Sequence, residues 1–416
     1  MPVATRIPLP RFVAPLPARN TAILHCPRIG QAEFKRRAAR ALKPLRVWIF
    51  YQPQRPWQRL LPARRMLMND LRLRVRNAML GLALGDAISW PAMFHRSVAL
   101  PFWTRRIRRE IDAASEDNNT LPVAMPFSLN RPAEAFLLAP ADDTEWAAFT
   151  MKNLLRQREN FDGDLWFSSW QELAHAENIK ASVSIQVALA HLRKSIQPPN
   201  SGRYNPHYFD DSAVARAVPI GVVCAGQAQV AATLAARDAE ITNAEDGLWA
   251  AQAMAAAISM AGSGAALDVV LACALAQLPS ASWIRRIVEE ALALCDPSQS
   301  TLAVVPSLSE AIINREYNYG NVAPETFALT LAIVKQTRGE FEAAMMMATT
   351  FAKTADSVPA FVGALCGAMA KHDILPSSWG TRLQELRGLC IPALCGVDYI
   401  ALVEQLADLA QARGVA

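Results

Sequence analysis

The chain of 416 residues is 52% hydrophobic, enough to bury a large core, and this excludes disorder of the whole chain. Its formal charge of +5 conceals two unlike parts: residues 1 to 67 carry 14 of the 42 Lys and Arg with a single acid, Glu33, leaving 28 basic against 36 acidic residues in the rest. That acidic balance argues against a nucleic-acid-binding body.

Residues 1 to 67 hold Pro2, Pro8, Pro10, Pro15 and Pro17 and the basic run Lys35-Arg36-Arg37, and show no continuous helical or strand period. Three readings stand for this segment: a basic tail for acidic partners, an Arg-rich targeting peptide, or an upstream extension from a start codon set too early. The last is preferred, because Met68 is followed by Asn69-Asp70 and then by an amphipathic run, Leu71 to Leu84, as a true amino terminus leading into a first helix would be.

Helix then follows helix. Apolar residues recur at three- and four-residue spacing over 142–158, 164–176, 180–195, 211–236, 245–261, 265–277, 281–294, 324–337, 339–352, 356–371, 378–389 and 397–412. Pro and Gly fall mostly between these stretches, as at Pro198-Pro199-Asn200-Ser201-Gly202. Alternating strand patterns are few, so the expectation is an all-α fold, one large helical domain over about 68–412. The stretch from Leu248 to Ala257 is Ala-rich nearly all round and reads as a buried helix, and Gly363, Ala364, Gly367 and Ala368 would let helices approach closely. Ala250 to Ala261 and Leu267 to Leu278 are too short and too Ala-rich to span a bilayer, so no membrane association is expected. Seven cysteines without CxxC pairs read as reduced thiols, which points to the cytoplasm.

Two helix starts carry oxygen-rich clusters. Asp142-Asp143-Thr144-Glu145 sets adjacent carboxylates at a helix opening, where they either cap free N–H groups or meet a hard cation that offsets their repulsion. Lys353-Thr354-Ala355-Asp356-Ser357-Val358-Pro359 opens a second helix with an acid beside a hydroxyl. Together they have the donors of an all-oxygen Mg²⁺ or Mn²⁺ site, although spacing alone does not bring them together. The histidines form no HxxxH or HExxH pattern, which leaves zinc chemistry unsupported, and no GxxxxGK[ST] loop is present.

The series Gly81-Leu82-Ala83-Leu84-Gly85-Asp86-Ala87, then Ala141-Asp142-Asp143-Thr144-Glu145, then Asp356-Ser357 running into Gly363-Ala364-Leu365-Cys366-Gly367-Ala368, resembles the ordered motifs of the ADP-ribosylglycohydrolase family over about 68–380. The stretch from Pro198 through Tyr204 and His207 to Asp210-Asp211-Ser212, and the later Tyr317-Asn318-Tyr319-Gly320-Asn321, are similar to cleft loops of a bacterial branch of it. The resemblance implies a hydrolase that cleaves an N- or O-glycosidic bond of an ADP-ribosyl or related ribosyl substrate, a small molecule or a modified protein. It implies Asp142, Asp143, Asp356 and Ser357 as ligands of one or two Mg²⁺ or Mn²⁺ ions and Asp142 and Asp143 as catalytic carboxylates. Asp86, Tyr204, Asp210, Asp211, Asn243 and Tyr319 would contact substrate.

Four positions depart from the family pattern. Ala141 stands where Thr or Ser is usual and Thr354 where a second acid is usual, while Met93 replaces an acid and Asn243 a His. Asp210-Asp211 or Glu325 could compensate from the loops. The rival expectation is a catalytically inactive relative that binds a nucleotide or a protein partner.

Overall fold

The computed structural model describes residues 57–89, 138–157, 161, 163–317, 319–375 and 379–414, with 113, 117 and 118; side chains in 57–68 and 162–165 are not described. Residues 1–56 of the basic extension, Met93 and Asn318 lie outside these. The all-α expectation holds: the described residues form fifteen α-helices, two 3₁₀ turns and no strand, within a unit that runs from Arg59 to Ala416. In chain order the helices are α1 (Trp57–Ile88), α2 (Asp142–Gln157), α3 (Gly163–Ala174), α4 (Val183–Arg193), α5 (Asn200–Arg203), α6 (Ser212–Val223), α7 (Ala228–Ala239) and α8 (Glu245–Gly262). Then come α9 (Leu267–Ala276), α10 (Trp283–Leu294), α11 (Val305–Ile312), α12 (Ala323–Gln336), α13 (Phe341–Ala348), α14 (Val358–Met369) and α15 (Tyr399–Arg413).

The Ala-rich helix α8 lies at the centre, packed against α6, α7, α9, α12 and α14. Ala250, Ala253, Met254, Ala255, Ala256, Ala257 and Ile258 on it are all fully buried, as a helix without a polar face requires. Helix α1 buries Val75, Ala78, Met79 and Leu82, one face at helical spacing. It meets α14 backbone to backbone: a Cβ on Gly81 would stand 2.1 Å from the Gly363 carbonyl oxygen, and one on Gly85 would stand 2.0 Å from that of Pro359. Only glycine permits that approach. Arg74 on α1 ties the ends of two helices, donating to the carbonyls of Ala368 and Met369 at 3.0 Å and of Ala261 at 3.5 Å.

Several expected boundaries shift for identifiable reasons. The first helix runs from Trp57 through Met68 to Ile88 rather than over Leu71 to Leu84. The stretch 211–236 is two helices, α6 and α7, because the chain turns at Gly226 with φ +79° and the Gly226 N–H bonds Ser259 of α8. Only a 3₁₀ turn, Gly380–Arg382, forms within 378–389, since the backbone N–H groups of Leu389, Cys390 and Ile391 turn to the Glu145 carboxylate instead of to helix carbonyls. α11 and the short α5 were not expected from apolar spacing. No helix among the described residues is long and apolar enough to cross a membrane.

Candidate functional site

Helix α2 opens with Asp142 and Asp143, yet the side chain that receives its free N–H groups comes from α1. The Oδ2 atom of Asp86, completely buried, accepts from the Ala141 N–H at 2.8 Å, the Thr144 N–H at 2.9 Å and the Thr144 hydroxyl at 2.5 Å. Asp86 thus does the capping that the sequence offered to Asp142. Its other oxygen, Oδ1, is buried without a hydrogen-bond partner. Burial first, and the neighbouring Asp142 second, push Asp86 up to about 8.

Asp143 retains some exposed surface but is recessed among acids. Its carboxyl is held well above the usual range by burial first, then by Asp142, Asp86, Asp211 and Asp356, so the charges acting most strongly on it are all negative. Asp211 belongs to the same recess: burial and Asp210 push it up to about 8, against hydrogen bonds from Thr326 and Ser357, and its buried Oδ2 has no hydrogen-bond partner. Carboxylates from the ends of α1, α2, α6 and α14, far apart in the chain, therefore share one field.

Asp210, also completely buried, is held on every side. Its Oδ1 accepts from Ser184 Oγ at 2.7 Å, Asn243 Nδ2 at 2.9 Å and the Ser212 N–H at 3.1 Å, and its Oδ2 accepts from the Tyr319 hydroxyl at 3.2 Å. An antiparallel bridge, with the Asp211 N–H on Asn321 O and the Ala323 N–H on Phe209 O, fastens this corner to the start of α12. Asn243 donates to the carbonyls of Tyr208 and Asp210 as well as to the Asp210 carboxylate, and accepts from the hydroxyls of Thr242 and Ser212. Its amide is fully engaged inside the protein, so it fixes the corner rather than facing a ligand.

Beside the acids lies a group of rings. The rings of His207 and Tyr319 meet edge to face at 4.6 Å, His207 stacks on Phe209 at 5.7 Å, and Tyr317 and Trp283 lie 6.2 and 6.4 Å from Phe209. Tyr317 and Trp283 are exposed, giving the rim an apolar face. Burial and Asp210 raise the affinity of the Tyr319 phenol for its proton. Tyr204, by contrast, is 66% exposed after α5 and does not join the group.

The second helix start behaves differently from its sequence reading. Ser357 Oγ accepts from Asn321 Nδ2 at 2.9 Å and donates to Asp211, so it positions a carboxylate. Glu325 does not replace a missing acid: both its oxygens accept from Lys353 Nζ, at 2.8 and 2.7 Å, and the Lys353 ammonium also donates to Asn314 O. Thr354 is buried, its hydroxyl 3.5 Å from the Phe351 carbonyl.

A divalent oxygen-seeking cation suits this donor set by chemistry. The acids are numerous, mutually repelling and include a buried unpartnered Asp211 oxygen, and the neighbouring Lys353 is already paired. As placed, the described residues contain no group of three His, Cys, Asp or Glu close enough to grip one ion, so the side chains would have to close on it.

Sequence reading missed Ser184 and Thr326, which carry no motif, and named Asn321 and Lys353 only as members of their runs, without the tertiary contacts through which they act. Glu145 was visible only as part of the Asp142-Asp143 run. It is buried and accepts from the N–H groups of Leu389, Cys390 and Ile391 at 2.7, 2.7 and 3.1 Å, fastening the segment before α15 beneath α2.

A family model described as ADP-ribosylglycohydrolase matches residues 67–415. No curated protein matches significantly. Among solved structures, a chain named "ADP-ribosylglycohydrolase-related protein complex" is similar with a TM-score of 0.53 and 20% identity, covering 82% of this chain and 99% of its own. Likeness at that identity concerns the fold.

Proposed function

From the premise that the chain belongs to the ADP-ribosylglycohydrolase family, we propose that it hydrolyses an N- or O-glycosidic bond of an ADP-ribosyl or related ribosyl compound, aided by one or two Mg²⁺ or Mn²⁺ ions. The observation that carries this reading is the acidic recess in which Asp142, Asp86, Asp211 and Asp356 all bear on the recessed Asp143 carboxyl, beside a partly exposed aromatic rim. Asp142, Asp143, Asp211 and Asp356 are the residues that would hold an ion. When bound, the ion would supply the positive charge that lets these carboxylates ionise together and would orient ribose hydroxyls.

The chain's own groups divide the remaining work. Asp143, held in its protonated form by burial and the surrounding acids without a cation, would become the carboxylate able to take a proton from the attacking water only when bound positive charge lets it ionise. Asp210, locked by Ser184 and Asn243, keeps Tyr319 turned into the corner. Tyr319, Tyr317 and Trp283 offer ring faces against which a planar base can lie while polar atoms fix the ribose. A catalytically inactive relative that binds a nucleotide or a protein is the second reading, favoured by Ala141, by Thr354 and by the lack of a closed three-acid group among the described residues.

The test is release of free ribosyl product by the purified full chain with Mg²⁺ or Mn²⁺ from ADP-ribosylated proteins, ADP-ribose derivatives and nucleosides. Release from at least one class is expected. No release from any of them, with tight nucleotide binding retained, would establish the second reading instead.

A further inference from the structure

Behind the Asp210-Asp211 corner lies a buried polar assembly that takes no part in the proposed chemistry. Arg216 of α6 is completely buried, and each guanidinium nitrogen has an acceptor: Nε on Asp238 Oδ2 at 2.6 Å, Nη1 on Ser212 O at 2.9 Å and Nη2 on Thr242 Oγ1 at 2.8 Å. Asp238 of α7 also accepts the indole N–H groups of Trp166 at 2.6 Å and Trp170 at 3.1 Å, both from α3. The guanidinium lies 4.9 Å from the Trp170 ring, which in turn stacks on Trp146 of α2 at 5.9 Å and 7° between planes.

A buried ion pair contributes little net stability when apolar residues could fill the same space, so stability alone does not account for this arrangement. Its connections do. By donating to Thr242 Oγ1, Arg216 leaves that hydroxyl's single hydrogen for Asn243 Oδ1, 2.6 Å away, and Asn243 clamps both the carbonyl and the carboxylate of Asp210. On its other side the Trp170 and Trp146 stack ends on α2, one helical turn beyond Asp142-Asp143. One side chain thereby touches, through short relays, both acidic segments of the recess.

We propose that Arg216 is a positioning residue that sets the Asp210-Asp211 corner against the opening of α2, acting through Thr242 and Asn243 on one side and through Trp170 and Trp146 on the other. The functional weight of this inference rests on the proposed reading of the recess, whereas the positional claim concerns the protein without ligand. Lys cannot reproduce the three-pronged fork, and Val in place of Thr242 removes the hydroxyl relay while leaving the Arg216 and Asp238 pair intact.

The test is hydrogen exchange by mass spectrometry on the unliganded full chain, comparing wild type, Arg216→Lys and Thr242→Val. In both variants the amides of 208–212, which include the Asp211 N–H on Asn321 O and the Ser212 N–H on Asp210, should exchange about fivefold faster or more, while α10 and α12 keep their protection. Near-ultraviolet circular dichroism of the stacked indoles should change in Arg216→Lys and remain as in wild type in Thr242→Val. Unchanged protection of 208–212 in either variant, or a loss spread evenly over all helices, overturns the proposal. If Arg216→Lys does not fold, Thr242→Val decides alone. Mn²⁺ binding by wild type, followed by electron paramagnetic resonance, is the separate arm: its absence removes the metal-assisted reading and leaves the exchange result to decide the positional one.

Discussion

Asp86 offers a perturbation whose size separates two small substitutions. Asp86→Ala removes one acceptor from three donors and leaves the buried N–H groups of Ala141 and Thr144 unpaired. Each orphaned N–H costs about 1–3 kcal/mol. Part of that is returned, because the variant no longer buries a carboxyl already crowded by Asp142. The expected net loss is about 2–3 kcal/mol, at or above a typical N-cap deletion of roughly 1–2 kcal/mol. Asp86→Asn keeps an oxygen at the Oδ2 position and places its NH₂ where Oδ1 has no partner, so it should lie within about 1 kcal/mol of wild type at pH 7. The assay is urea unfolding followed by far-ultraviolet circular dichroism, with unchanged m-values as the check that only stability moved. An Ala variant as stable as wild type, or an Asn variant as damaged as Ala, would refute the assignment of Asp86 as the cap of α2.

Glu145 predicts the opposite pattern: both of its oxygens already accept, so Glu145→Gln must turn an NH₂ against backbone N–H groups. Both Gln and Ala should cost roughly 2–4 kcal/mol and speed exchange at 389–391, and a neutral Gln variant would contradict the geometry. The raised carboxyls fix a pH dependence. Asp86 and Asp211, pushed from an ordinary 3.8 up to about 8, hold protons in the fold that the unfolded chain has released. Their contribution is full below pH 4 and is lost as pH rises toward 8, so metal-free stability should fall across that window and Asp211→Asn should flatten the fall; a rise would reverse the argument. Gly85→Ala drives a Cβ against the Pro359 carbonyl and should lower the melting temperature, with a cost of about 3 kcal/mol or more, and an unchanged melt would show that α1 and α14 have room to part.

Helical periodicity made most of the fold legible, because apolar spacing in α1, α8, α12 and α14 is the same information that decides what is buried. It failed where a single tertiary bond overrides local preference. Residues 389–391 follow Glu145 out of a helix, and Gly226 splits a continuous apolar run. In the site, the acids could be listed from sequence but not sorted. Whether an Asp caps, stays crowded or pairs depends on neighbours distant in the chain, such as Thr144 for Asp86, Tyr319 for Asp210 and Ser357 for Asp211. Glu325 shows the limit most plainly, since only the fold reveals that Lys353 neutralises it.

In the proposed function, Asp142, Asp143, Asp211 and Asp356 would together hold the ion that acts on a ribosyl group. Crystals grown with Mn²⁺ and ADP-ribose, measured for anomalous scattering at the manganese edge, test it directly. The predicted result is a peak about 2.0–2.3 Å from carboxylate oxygens of Asp142, Asp143, Asp211 and Asp356, with the ribose against it and the base beside Tyr319. A peak elsewhere, or none with ADP-ribose well ordered in the cleft, would contradict the account.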